Sequence, residues 1–358
     1  MSHSLDHYRW VAGPAALYHL LVGIVVVAAA VASFAQDPTT GLHADSPILS
    51  ASSAANPVSS ERLNPNQEIR ILQPPINARP VRVDVNMVVL NVLVTDSRDR
   101  IVSGLNPADF EICDERVPQR IATFSREDAP VSVGIVFDSS GSMSDKIDRS
   151  KAAVLQFLKT SNPQDEFMLV NFNNGPRLVS GFTADLDDLQ AQLVAIQTGG
   201  RTALLDAVYL AVVEMRKAPV GRKALLVISD GGDNRSRYRE ADVRRLIQES
   251  GVQIYAVGVF TPAGAQRRAQ EEVRGPQLLS EIADESGGRM YSTTDASQLP
   301  GIAQKISTEL RNLYAIGYKP SNLIYDGRWR RVKVKLNPPS GGPRPRVYGR
   351  TGYYAPAQ

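Results

Sequence analysis

The sequence predicts an α/β domain with a doubly wound, mostly parallel sheet, and two observations support this fold class. Between residues 129 and 313, short apolar β-type runs alternate with segments of helical periodicity, the pattern of a parallel sheet covered by helices on both faces. The run at 131–138 is largely apolar until it ends in Asp138, as expected for a strand buried on both faces. The β-rich segments on either side are too small to form a core alone.

The predicted elements alternate along the chain. Before the α/β domain, strands are predicted at 81–95, 110–113 and 119–124, with a turn at 96–100. Within the domain, strands are predicted at 131–138, 166–172, 177–182, 223–229, 253–260 and 289–292. Helices are predicted at 146–160, 185–196, 203–217, 240–249, 277–285 and 299–313. Strands follow at 314–318, 330–336 and 350–354, and we expect them to pair with those of 81–124 in a small β-rich subdomain.

The first 35 residues predict a signal peptide or a membrane anchor. The apolar run LLVGIVVVAAAVA at 20–32 is 13 residues long, shorter than the roughly 20 that span a bilayer. Ser33-Phe34-Ala35 provides small residues before a cleavage site, whereas the longer stretch 11–35 could just span a membrane as an anchor. In either case we expect the remainder outside the cytoplasm of a bacterium, in the periplasm or cell envelope or secreted.

The segment 36–80 predicts a disordered linker, because it contains seven Pro, many Ser and Asn, and no aromatic residue. The predicted organisation is therefore a targeting segment at 1–35, the linker at 36–80, a β-rich flank at 81–128, the α/β domain at 129–313 and a β-rich C-terminal segment at 314–358.

Composition excludes several classes of function. The four His, at positions 3, 7, 19 and 43, all precede the part that is predicted to fold, and Cys113 is the one Cys. A Ser-His-Asp or Cys-His nucleophilic site and a His- or Cys-ligated zinc site therefore cannot be assembled. The net charge of +3 and the absence of a basic run with interleaved aromatics argue against nucleic acid as a partner.

Polar side chains follow the predicted strands at three places. Asp138, Ser140 and Ser142 follow the strand at 131–138, Thr202 precedes the helix at 203–217, and Asp230 follows the strand at 223–229. Because the carboxyl ends of strands in a doubly wound sheet converge, one ion could meet all five. Their oxygen donors suit Mg²⁺ or Mn²⁺ better than Zn²⁺.

These residues resemble a known family. Asp138-Ser-Ser-Gly-Ser142 matches the DxSxS signature of the von Willebrand factor type A (VWFA) domain, and Gly200-Arg-Thr202 and Ser229-Asp230-Gly231 are similar to its second and third metal-site loops. Flanking motifs such as Asn106-Pro-Ala-Asp-Phe110 resemble the VWFA-related proteins of acidobacteria. The resemblance implies a six-stranded, Rossmann-like sheet. It also implies a metal-ion-dependent adhesion site (MIDAS), at which Asp or Glu of a protein partner binds the ion.

Plainer interpretations stay open for the same residues. Ser140 and Ser142 could be turn and cap residues, Thr202 an N-cap, and Asp230 part of a simple turn. Asp145 and Asp233 are interpreted as solvated loop charges, and Arg201 could attract an acidic partner or crowd the ion. For the whole chain, the leading hypothesis is an exported, non-enzymatic protein-binding module of adhesion type. The alternatives are an envelope assembly protein with a stabilising metal and a Mg²⁺-dependent hydrolase.

Overall fold

The computed structural model describes residues 87–126, 128–260, 270–337 and 345–357. The predicted targeting segment at 1–35, the linker at 36–80 and the beginning of the first predicted strand lie outside the described residues. Within the described ranges, no helix is long and apolar enough to cross a membrane.

The described chain contains strands and helices in the following order. The strands are β1 (Val88–Thr95), β2 (Phe110–Asp114), β3 (Val117–Gln119), β4 (Ile121–Ser125), β5 (Val131–Asp138), β6 (Glu166–Phe172), β7 (Pro176–Thr183), β8 (Arg222–Ser229), β9 (Gln253–Val259), β10 (Arg289–Thr293), β11 (Tyr314–Tyr318), β12 (Trp329–Leu336), β13 (Arg346–Tyr348) and β14 (Gly352–Tyr354). The helices are α1 (Ile147–Lys159), α2 (Leu186–Ala195), α3 (Leu204–Glu214), α4 (Glu240–Ser250), α5 (Gln270–Ser286) and α6 (Leu299–Arg311).

The central sheet has six strands in the order β10-β9-β8-β5-β6-β7, and all neighbours are parallel except β7, which runs antiparallel to β6 at the edge. Helices α1, α2 and α6 pack on one face, and α3, α4 and α5 pack on the other. Every residue of β5 is buried, because this strand has a partner on each side and helices above and below. The predicted doubly wound, mostly parallel sheet is confirmed.

The flanking strands form a β-rich subdomain of two antiparallel four-stranded sheets, ordered β13-β1-β11-β4 and β14-β12-β2-β3. Each sheet combines N-terminal and C-terminal strands, as predicted: β1 pairs with β11, and β2 pairs with β12. The two sheets enclose their own apolar cluster, which includes Leu90, Ile112 and Tyr314. Leu93 of β1 instead belongs to the core of the α/β domain, so the two parts share a buried contact.

Three local predictions were wrong. The helix predicted at 277–285 begins earlier, at Gln270. Proline is best tolerated in the first turn of a helix, so Pro276 suggested a start near 277, but it lies inside the observed helix. The segment predicted as one strand at 119–124 is divided between β3 and β4, and β13 forms where no strand was predicted. The last strand is shorter than the predicted 350–354, because residues 352–354 alone pair with β12. Pairing with other strands decided the two strand cases.

Asp165, just before β6, is a buried carboxylate that joins three segments. Its Oδ1 accepts the N–H of Val131 at 2.9 Å, and its Oδ2 accepts that of Asn162 at 3.0 Å. Arg311, at the end of α6, donates to both oxygens. Arg311 also binds Asp128, whose side chain is 53% exposed whereas that of Asp165 is 1% exposed. This carboxylate fixes the amino end of the central strand against α6.

We expect Asp165→Asn to lower the free energy of unfolding by about 3 to 5 kcal/mol, because the Arg311 charge would lose its buried partner. Asp128→Asn is the matched control, since it removes the exposed partner of the same arginine, and it should cost less than about 1 kcal/mol. Urea denaturation in the presence of a chelator measures both. Equal costs for the two variants would contradict this account.

Candidate metal centre

Three loops meet at the carboxyl edge of the central sheet and are joined by backbone hydrogen bonds. In the loop after β5, Ser139 O accepts from Gly199 N at 2.8 Å and Gly141 N donates to Gly200 O at 3.1 Å. The loop before α3 is joined to the loop after β8, because Asn234 N donates to Thr202 O at 3.0 Å. The predicted site residues are therefore held on one rigid edge.

Asp138 is fully buried at the end of β5. Its Oδ1 accepts the N–H of Ser140 at 2.9 Å, and its Oδ2 accepts the hydroxyl of Ser229 at 2.6 Å. Burial, and next the negative charge of Asp230, raise the pKa of Asp138 to about 7. Asp230 thus disfavours ionisation of the buried Asp138, and a cation at this site would be stabilised.

Ser140 and Ser142 face the same space, since their hydroxyl oxygens lie 3.1 Å apart. A short turn of 3₁₀-helix at Gly141–Met143 brings the two side chains together. Ser140 is the N-cap residue of this turn, but its side chain makes no capping hydrogen bond, and the N-cap of α1 is Lys146.

Thr202 and Asp230 approach this space from the other two loops, and both are buried. A Cβ placed on Gly232 would lie 3.5 Å from Asp230 Oδ1 and 3.9 Å from Thr202 Oγ1, so these two oxygens flank one small gap. The N-cap of α3 is Ala203, and the interpretation of Thr202 as the N-cap is therefore wrong. Gly231 allows the turn, because its φ is +81° and a Cβ there would meet the Gly275 backbone at 2.6 Å.

The sequence analysis did not identify two residues of the site. The Ser229 hydroxyl binds Asp138, although Ser229 was noted only as part of a loop motif. Lys146 is buried, and its Nζ lies 3.4 Å from Asp230 Oδ2 and 3.2 Å from the Ser142 carbonyl. The sequence did place a lysine four residues after Ser142, but a lysine at the start of a helix is usually exposed, so it was not identified as part of the site.

Three other charged residues near this edge of the sheet differ from the five predicted ligands in exposure or in hydrogen bonding. Asp233 is half-buried rather than solvated, and its carboxylate accepts N–H bonds from Leu205 and Ser236 at 3.3 and 3.2 Å. Asp145 is exposed, as expected. Arg201 is exposed beside Thr202, with its backbone N–H bound to Asn174 Oδ1 at 2.9 Å. None of these three side chains is a candidate ligand.

The donor chemistry at this edge fits a hard divalent cation. Asp138 and Asp230 supply carboxylate oxygens, and Ser140, Ser142 and Thr202 supply neutral hydroxyls. Magnesium and manganese prefer such oxygen ligands, whereas zinc prefers His and Cys. Within the described ranges, no group of three or more His, Cys, Asp or Glu could hold a metal. A metal at this edge would therefore need the hydroxyl donors as well as the two carboxylates.

Residues 133–232 match the family model of the von Willebrand factor type A domain. The chain contains a von Willebrand factor type A domain. The matched range begins in β5 and ends in the loop after β8, so it includes all five predicted ligands of this type A domain.

The chain is also similar to individual proteins. It is 26% identical over 225 residues to inter-alpha-trypsin inhibitor heavy chain H4 of Bos taurus, a match that covers 54% of this chain and 22% of the heavy chain. The chain thus spans about a fifth of that relative's length. A von Willebrand factor type A structure from Catenulispora acidiphila is 17% identical, with a TM-score of 0.44 over 68% of this chain and 72% of that one.

A second similar structure is proximal thread matrix protein 1 from the mussel byssus, described with a zinc-occupied MIDAS motif. It is 19% identical to this chain, with a TM-score of 0.45 over 55% of this chain and 50% of that one.

The pKa of Asp138 predicts how the stability of the metal-free domain depends on pH. The unfolded carboxyl ionises near its model value of 3.8, whereas the folded one keeps its proton up to about 7. The contribution of this group is therefore fully present below about pH 4 and is lost as the pH rises through about 7. Urea denaturation with a chelator, from pH 4 to 8, should show this loss in the wild type and not in Asp138→Asn. Asp145→Asn should behave as the wild type, and an unchanged pH slope in Asp138→Asn would contradict the assignment.

Because the Lys146 ammonium group lies beside Asp230, we expect it to compete with a metal ion for this carboxylate. Lys146→Met should raise the affinity for Mn²⁺ by about tenfold or more, since it removes a buried positive charge near the site. The same change should destabilise the metal-free protein, because Asp230 loses its buried counter-charge. Arg201→Met is the control: this exposed cation is screened by solvent and should alter affinity little. Calorimetric Mn²⁺ titration measures both variants, and weaker binding by Lys146→Met would show that the lysine supports the metal.

Proposed function

We propose that this protein is a metal-dependent protein-binding module that works outside the cytoplasm. In this proposal Asp138, Ser140, Ser142, Thr202 and Asp230 hold Mg²⁺ or Mn²⁺, directly or through water, and a partner protein presents an Asp or Glu side chain to the same ion. The convergence of five oxygen-bearing side chains from three loops carries the proposal.

The balance of charge in the donor set supports binding of an acidic partner. Only two of the five donors are carboxylates, so a divalent ion held here would keep affinity for a further anionic oxygen. Mg²⁺ favours six oxygen ligands in near-octahedral arrangement, and five protein donors leave room for one more. The ion would supply the attraction for the partner's carboxylate, while the buried Asp138 and the joined loops keep the donors in place.

The surroundings of the site favour binding over hydrolysis. A Mg²⁺-dependent hydrolase would need a group near the metal that accepts a proton from water. Lys146 already pairs with Asp230, and Asp138 accepts two hydrogen bonds. Cys113 lies on β2 in the other part of the protein, and burial raises the pKa of its thiol, which opposes formation of a nucleophilic thiolate. Hydrolysis therefore stays the weaker alternative.

The proposed location comes from the N-terminal sequence. An exported domain on the long linker at 36–80 would present its metal edge to partners at a distance from a membrane or in the medium. An anchor at 11–35 would keep the protein in the cell envelope. In the assembly alternative, the protein is a structural component of the envelope and the metal mainly stabilises the fold.

The first test is metal binding by the purified domain. Mg²⁺ and Mn²⁺ titrations should give one site in the wild type, with affinity reduced about tenfold or more in Asp230→Asn and Thr202→Ala, because each change removes one ligand. Asp145→Asn is the control, since it removes an exposed acid from the same loop as the serines. Wild-type affinity in both ligand variants would contradict the proposed site.

The second test concerns the partner. Crosslinking in cells and identification by mass should recover a protein whose binding is lost with chelator and in Thr202→Ala, and weakened when one of its own Asp or Glu residues is substituted. Partner recovery that persists in Asp138→Ala while Mg²⁺ raises the melting temperature would favour the assembly alternative. Turnover of phosphate or ester substrates that vanishes in Asp230→Ala would favour the hydrolase.

A further inference from the structure

A cavity of about 340 Å³ lies where the β-rich subdomain meets the last turn of α4, and it shares no residue with the metal centre. Gln248 and Glu249 of α4 form one wall, and the loop that follows β11 forms another. The chain around β14 closes the cavity, with Arg350 and Tyr353 among the lining residues. Its volume is at the lower end of the range for small-molecule sites.

Arg350 places a positive charge against this cavity. Its Nε is sealed from solvent, without a hydrogen-bond partner in the described part of the chain. Burial lowers the pKa of Arg350, and the groups that oppose this shift are the hydroxyls of Tyr318 and Tyr353. Both hydroxyls already donate to Asp114 Oδ2, at 3.0 and 2.9 Å. Among the described residues, no carboxylate forms an ion pair with Arg350.

Arg350 is half-buried with its Nε sealed from solvent, and a cation partly removed from water without a full counter-charge is costly in general. The C-terminal end of α4 brings a negative potential close to Arg350, because a Cβ on Gly251 would lie 3.6 Å from Arg350 Nη1. Glu249 of the same helix end also lines the cavity, but its carboxylate is paired with Arg245. A helix end carries only about half a unit charge, so it offsets part of the cost. An anion in the cavity would supply the rest.

The second arginine of the cavity is already occupied. Arg330 donates to the carbonyl of Asn322 at 2.8 Å and to that of Ile324. These bonds hold the loop that presents Leu323 and Ile324, which are 64% and 62% exposed although both line the cavity. Among the described residues that line it, the cavity therefore combines a guanidinium without an ion pair, that of Arg350, with the apolar surface of Leu323 and Ile324.

We propose that this cavity binds a small carboxylate with an apolar body, the carboxylate on the Arg350 guanidinium and the body against Leu323 and Ile324. A planar guanidinium matches a carboxylate through two parallel hydrogen bonds. A single free cation neutralises a carboxylate but not a phosphate dianion, and the exposed Leu323 and Ile324 give an apolar chain a surface to cover.

The test uses octanoate, with octanol as the neutral match of the same chain length and sulfate as an anion without an apolar body. A chelator is present throughout, so that failure of the metal site does not affect the outcome. Octanoate should raise the melting temperature of the full chain and bind in calorimetry, while octanol and sulfate should have weaker effects. Arg350→Met should weaken octanoate binding by at least about tenfold, because a charged hydrogen-bonding partner is lost.

Arg346→Met is the control, since it removes an exposed arginine from the neighbouring β13; it should bind octanoate as the wild type does. Without ligand, Arg350→Met should melt at the same or a higher temperature than the wild type, because this half-buried charge has no full partner. If Arg350→Met does not fold, Leu323→Asp is the second variant: this exposed change should weaken octanoate binding through charge repulsion. No octanoate binding by the wild type, or unchanged binding in Leu323→Asp and Arg350→Met, would overturn the proposal.

Discussion

A fully buried carboxylate at the end of the central strand is the constraint on which the site depends. Asp138 ends β5, which is sealed by strands on both sides and by helices on both faces. Hydrogen bonds from Ser140 and Ser229 satisfy its oxygens, but they do not cancel its charge. Asp230 adds a second carboxylate at the tip of the neighbouring strand. Above about pH 7, where Asp138 ionises, this edge of the sheet therefore carries a negative potential that a bound cation would relieve.

Two kinds of cation can neutralise this potential: a lysine of the chain and a metal ion from solution. Lys146 is part of the chain and reaches Asp230 from the start of α1. A divalent ion would come from solution and would need the hydroxyls of Ser140, Ser142 and Thr202 as further donors. Because both cations would use Asp230, the lysine and a bound metal would be coupled through one carboxylate. The affinity of the site for a metal would then depend on Lys146 as well as on the five ligands.

The β-rich subdomain is formed by the segments on either side of the α/β domain, and it contacts that domain at several points. Gln253 Nε2 donates to Asn91 O at 3.3 Å, and Arg289 pairs with Asp99 of the turn after β1 at 2.7 Å. Gly287 packs so closely on the Arg350 backbone that a Cβ there would lie 2.1 Å from Arg350 N. The cavity beside Arg350 forms at this junction, so it exists only when the two parts are assembled.

The amino-acid sequence by itself determined the fold class, the strand that ends in Asp138 and the five candidate ligands. Hydrophobic periodicity and the polar residues at strand ends depend only on neighbouring residues in the sequence. For this reason β5, β6 and β11 were predicted with their observed bounds. Only the tertiary structure decided the roles of Lys146, Ser229 and Arg350, because each depends on contacts between residues distant in the chain. The same reason explains Pro276 inside α5 and the strand β13: packing and pairing outweighed the local preferences of those residues.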